Sequence, residues 1–150
     1  METNTERNTD TIDSLNSLLR GEISACETYR QAIAKVSDEP SLRTALQESL
    51  SSHESRAQLL RERITQLGGK PAEGSGAWGT FAKLVEGGAK AFGDKAAIAA
   101  LEEGEDHGLK DYREELKKLD GTARTFVESQ LLPAQERTHR VLSAMKKTLH

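Results

Sequence analysis

Residues 101–119, LEEGEDHGLKDYREELKKL, decide the fold. Leu101, Glu105, Leu109, Tyr112, Leu116 and Leu119 recur at steps of three and four, the period of a helix with one buried stripe. Ile98 extends that stripe upstream, Asp94 is placed to cap the helix, and Asp120-Gly121 ends it. The same period appears on either side. A first helix from Thr11 carries Ile12, Leu15, Leu19, Cys26, Tyr29, Ile33 and Val36, and Asp38-Glu39-Pro40 stops it. A second, capped by Ser41, carries Leu42, Leu46, Ser49, His53, Ala57, Leu60, Ile64 and Leu67 before Gly68-Gly69 and Pro71. A fourth runs from about Thr122 to the end, with Val127, Leu131, Ala134, Val141, Met145 and Leu149 facing inward and Pro133 expected to kink or break one turn.

Helices one and two are joined by a tight turn, as are three and four, so each pair reads as an antiparallel hairpin. The connection over about residues 68–93 is long for a compact domain and can run the length of a bundle. Within it, residues 77–92 (AWGTFAKLVEGGAKAF) predict a short extra helix packed on the outside. An up-down-down-up bundle with one long crossover is the ferritin-like arrangement, so the fold class is all-α, a ferritin-like four-helix bundle. Residues 1–10 are expected to form a disordered polar tail and 11–150 the bundle. The halves also repeat: Gly21-Glu22 precedes Tyr29-Arg30 by the same spacing as Gly104-Glu105 precedes Tyr112-Arg113.

Composition narrows the function. Of 150 residues, 35% are hydrophobic and 30% charged, but only 4% are aromatic, so the core is aliphatic and not that of a β-sandwich. A net charge of −3 without a clustered basic patch predicts no nucleic-acid partner. The lone Cys26 allows neither an internal disulfide nor a cysteine metal motif, and reads as a small buried hydrophobe. No apolar run reaches the roughly 20 residues of a membrane span. The opening METNTERNTDT has no apolar signal segment, which points to the cytoplasm.

Three ionisable residues fall inside these stripes: Glu22, His53 and Glu105, each near the middle of its helix. A buried charge costs several kcal/mol unless something compensates it. The fourth helix offers Glu136 and His139 as Glu-x-x-His, so Glu22, His53, Glu105, Glu136 and His139 form a candidate mono- or di-metal site. Such a mixed carboxylate–imidazole set suits iron or manganese. Against it, Leu50 and Arg56 stand three residues either side of His53, so helix two has no Glu-x-x-His. Glu136 lies off the apolar face of helix four, and Gln135 is closer to it. The other reading is a closed polar network in which Glu22, Glu105, His53 and the hydroxyls of Tyr29 and Tyr112 satisfy one another. His107 reads as a surface side chain.

At these residues the chain resembles a bacterial family of ferritin-like four-helix-bundle proteins of unknown function. The resemblance rests on Gly104-Glu105-Asp106 with Tyr112, on Leu15-Asn16 and Tyr29-Arg30, on Leu67-Gly68-Gly69 with Pro71, and on His139. It spans about Thr11 to Met145. It implies the fold and carries over no activity. His53 and Arg56 depart from the ferritin ligand pattern on helix two, which counts against a full di-iron oxidase. Two functions follow: a ferritin-like protein holding iron or manganese in its core, or a metal-free bundle acting as a stress-related or interaction module, self-association as a homo-oligomer included. A third, membrane-surface contact through the Trp78–Phe92 connector with its Lys83 and Lys90, has weaker support, because that segment is short and glycine-rich.

Overall fold

The computed structural model describes residues 4–76 and 93–148, with side chains from residue 7 onward. Helix α1 spans Asn4–Lys35 and α2 spans Pro40–Gln66. Helix α3 spans Asp94–Leu116. The fourth bundle helix has three parts: α4 over Gly121–Phe126, a π turn over Val127–Leu131, and α5 over Leu132–Thr148. The connector helix expected over 77–92, and the membrane contact that depended on it, lie outside the described residues. No helix among the described residues is long and apolar enough to cross a membrane.

Cross-helix contacts fix the directions. Tyr29 reaches Glu105, Tyr112 reaches Glu22, and Ser37 reaches Asp94, so α3 runs antiparallel to α1 and therefore parallel to α2. Thr138 reaches Glu105 and Lys146 reaches Glu102, which turns α5 back against α3. This is the up-down-down-up ferritin-like bundle. Two apolar layers hold it. One gathers Leu15, Leu19, Leu60, Ile64, Leu116, Phe126 and Leu131; the other gathers Ala32, Leu46, Ala97, Ile98, Leu101 and Leu142. Fully burying a leucine or isoleucine contributes roughly 1.5–3 kcal/mol, so these layers dominate the stability. The polar residues of the stripes lie between them.

Helix ends differ from the sequence expectation in chemistry more than in place. Helix α1 starts at Asn4, so the segment expected as a tail over residues 1–10 is helical from residue 4. Its polar residues 7–10 are exposed and extend a nucleated helix at little cost. Glu39, not Ser41, caps α2: its carboxylate accepts from the backbone N–H of Ser41 and Leu42, with Pro40 in the first turn. Asp94 is the first residue of α3 and accepts instead from the backbone N–H and hydroxyl of Ser37, tying the first hairpin's turn to the start of α3. Gly68, at φ 84°, ends α2 in a left-handed turn, with Gly68 and Gly69 donating to Thr65 and Ile64 at 3.0 and 2.9 Å. Asn16 then clamps the outgoing chain, donating to the Lys70 carbonyl and accepting from the Ala72 N–H.

The fourth helix shows the largest departure. Its fully buried residues after the π turn are Gln135, Thr138 and Leu142, while Val141 and Met145 of the sequence stripe pack half-buried against the second apolar layer and Ala134 is half-buried. One extra residue in a helical turn advances the phase of everything beyond it by roughly 100°. The π turn supplies that residue. Pro133 follows it closely; a proline displaces the carbonyl four residues back, here that of Ser129 inside the π turn, so the helix absorbs Pro133 without breaking.

Candidate functional site

Glu22 on α1, His53 on α2 and Glu105 on α3 meet between the two apolar layers, each 2–3% exposed. The imidazole bridges the carboxylates: Nδ1 lies 2.7 Å from Glu22 Oε2 and Nε2 lies 2.8 Å from Glu105 Oε2. With an acceptor at both ring nitrogens, the ring donates twice and is the imidazolium. Arg56, three residues along α2 and 1% exposed, adds a second cation, 3.4 Å from Glu22 Oε1. Its guanidinium also donates to the Gln135 side-chain carbonyl and, at 3.1 Å, to Thr138 Oγ1.

Every carboxylate oxygen is answered. Tyr112 donates to Glu22 Oε1 at 2.8 Å and Tyr29 to Glu105 Oε2 at 2.9 Å. Glu105 Oε1 accepts from Thr138 at 2.7 Å and Gln135 at 3.1 Å. Gln135 also donates to the Glu105 backbone carbonyl at 2.9 Å. Gly108 makes that possible, because a Cβ there would stand 2.7 Å from Gln135 Nε2. Two anions thus face two cations in a buried layer.

The electrostatics follow from that balance. Burial alone would raise the carboxyl of Glu22, but Arg56 and His53 outweigh it and hold it below the usual range. Burial likewise opposes ionisation of Glu105, and His53 with the Thr138 hydrogen bond lowers it. Burial works against the charge of His53, and Glu105 and Glu22 overcome it, raising the imidazole. Burial and the adjacent carboxylates push both tyrosine hydroxyls well up. Cys26, buried beside the layer, has its thiol pushed up to about 12 by burial and by Glu22, so it is no nucleophile at neutral pH.

Of the five residues proposed from sequence as metal ligands, the structure brings three together and leaves two outside. Glu136 and His139 are half-buried outside the core layer, His139 at the seam with α3, because the π turn points Gln135 and Thr138 inward in their place. His139 meets Asp106 of α3, with Glu102 one turn away; a ligand atom from each of the three lies within 4.8 Å of the others. Arg56 and Thr138 were missed as core members. For Arg56 the signal was present: it follows His53 at helical spacing on the way to Leu60. His107 is exposed, as expected.

A cavity of about 30 Å³ opens against this layer, lined by Gly21, Gly104 and Gly108 together with Glu22, His53 and Glu105. It has room for ordered water and none for an organic substrate.

The sequence profile described as a domain of unknown function (DUF2383) matches residues 10–118. No curated protein matches the chain. Among solved structures, a Dps1 mutant from Mycobacterium smegmatis is similar at 16% identity with a TM-score of 0.79, over 97% of this chain and 99% of that one. A structure described as ferritin-like, diiron-carboxylate proteins from Bacillus anthracis str. Ames is similar at 20% identity with a TM-score of 0.65, over 98% of this chain and 95% of that one. These likenesses establish the ferritin-like fold.

Proposed function

The chain belongs to the DUF2383 family, and on that premise we propose that it works as a ferritin-like interaction module whose core is closed by an internal ion-pair network in place of a di-metal centre. One observation carries the reading: the imidazolium of His53 bridges Glu22 and Glu105, and the guanidinium of Arg56 pairs with Glu22. Their two positive charges balance the two carboxylates, the balance that a metal ion would otherwise bring. The residues do not fit a di-metal carboxylate centre. Among the described residues only Glu22 and Glu105 reach His53, they lie at opposite edges of its ring, and the fourth helix contributes an amide and a hydroxyl where that centre would take Glu-x-x-His. The network fixes the register of four helices, and the function is then carried by the outer faces, toward a second copy of the chain or another protein in a stress-related role.

A second reading, iron or manganese bound by Glu22, His53 and Glu105, is favoured by the convergence of these three residues from three helices. An ion there must displace the proton that His53 shares with a carboxylate and must tolerate Arg56 beside it.

Elemental analysis after iron or manganese is added back, with thermal melts in the presence and absence of chelator, separates the two. The network reading expects no metal whose retention depends on Glu105 and, in the Asp106→Asn background that silences metal bound outside the core, an unchanged melting temperature under chelator. One iron or manganese per chain, retained in Asp106→Asn and lost in Glu105→Ala, would overturn it. Light scattering of the purified protein reports self-association.

A further inference from the structure

Outside the core, α3 and α5 carry a second set of donors. We propose that Glu102, Asp106 and His139 form a binding site for one divalent first-row transition-metal ion on the outer side of the α3–α5 seam, independent of the core network.

Glu102 and Asp106 are one turn apart and share a face of α3. His139 comes from α5, its Nε2 in contact with Asp106 Oδ1. The three ligand atoms lie within 4.8 Å of one another, so one ion at bond lengths of about 2.0–2.2 Å reaches all three after small side-chain adjustments. The imidazole sets this group apart from a patch of surface acids. One nitrogen and two carboxylate donors favour manganese, iron or zinc over magnesium and calcium, which take oxygen ligands.

The surroundings hold the donors in place. Glu105 and Thr138, the inward neighbours of Asp106 and His139, are joined at 2.7 Å, which sets the spacing of the two helices at this level. The side chains of Glu102 and His139 are 13% and 24% exposed and that of Asp106 is 54% exposed, giving a half-sheltered base and an open face for water ligands. A cation already stands at one edge: Lys146 Nζ lies 3.2 Å from Glu102 Oε2. The entering ion takes over that charge balance, and Lys146 swings to solvent.

The test is calorimetric titration of the full chain with Mn²⁺ and Zn²⁺ near pH 7. The expected result is one ion per chain, weakened at least tenfold in Asp106→Asn and in His139→Ala, and tightened severalfold in Lys146→Ala by loss of the competing ammonium. Asp106 is largely exposed, so Asp106→Asn keeps its fold and decides the matter if His139→Ala does not. Absence of saturable binding, or binding unmoved by Asp106→Asn, would overturn the site. An ion held in the core would be insensitive to these outer substitutions and lost in Glu105→Ala, so failure here and failure of the network reading are distinguishable.

Discussion

The hydroxyl of Tyr29 on the first helix donates to the carboxylate of Glu105 on the third at 2.9 Å, and the third helix returns the same bond from Tyr112 to Glu22. The glutamate and the tyrosine of each repeat therefore meet reciprocally across the α1–α3 contact. Each hydroxyl answers a buried charge that otherwise keeps fewer donors. Tyr29→Phe and Tyr112→Phe should each lower unfolding free energy by about 1–3 kcal/mol, with similar costs for the two. Urea denaturation measures both; a negligible effect from either would remove the hydroxyls from the network.

Arg56 and Glu22 are the pair on which charge balance turns. Arg56→Met leaves Glu22 short of a cation in a buried layer, and breaking a buried pair in this way costs about 3–5 kcal/mol. Glu22→Gln strands the guanidinium at a comparable cost. The double variant removes both charges and should recover most of the loss, giving a large favourable coupling in a double-mutant cycle. Additive costs would show that the two side chains act separately.

The pH dependence has two arms of opposite sign. Glu22 and Glu105 titrate below their usual range in the folded chain, so their contribution is present above about pH 4.3 and is lost as pH falls through the lowered folded values. His53 titrates above its usual range, so its contribution is complete below about pH 6.5 and is lost as pH rises through the raised folded value. Stability should form a plateau with an acid and an alkaline limb. His53→Gln should remove the ion-pair part of the alkaline limb, which chemical denaturation at several pH values would reveal.

Asp111 sits on the edge of this layer as a liability. Burial first, and Glu115 next, raise its carboxyl to about 6, so the folded state resists its ionisation. The penalty grows as pH rises from about 3.9 to the folded value and is complete above it. Asp111→Asn should stabilise the protein near pH 7 by about 1 kcal/mol, less than the shift alone implies because solvent screens a partly exposed group. The gain should vanish below about pH 4; a gain independent of pH would mean that packing, not charge, is responsible.

Much of this was legible because period and punctuation agree. The stripes of α1, α2 and α3, with Glu22, His53 and Glu105 inside them, follow from regular helices. What stayed hidden has physical causes. Arg56 is a long cation at stripe spacing, and charge alone argues for the surface unless its partners are known. Gln135 was legible as closer to the apolar face than Glu136, but Thr138 was not placed, because the π turn shifts the helix phase and no local residue pattern announces it. The meeting of His139 with Asp106 depends on that same shift.

The π turn therefore makes a prediction in two directions. It works as one residue inserted into an α-helix, so deleting Gln130, which is exposed, should close the turn to α while keeping Leu131, Gln135, Thr138 and Leu142 in phase with the core. The deletion should remain folded, at a cost of about 1 kcal/mol from local adjustment. Inserting one alanine after Gln130 instead rotates the rest of the helix by roughly 100° and carries Gln135 and Thr138 away from Glu105 and Arg56. That should cost several kcal/mol, as stranded buried charges do. Thermal melts of the two variants decide the matter. If the deletion proves the more damaging of the two, the extra residue is not what sets the phase, and another cause must orient the last helix.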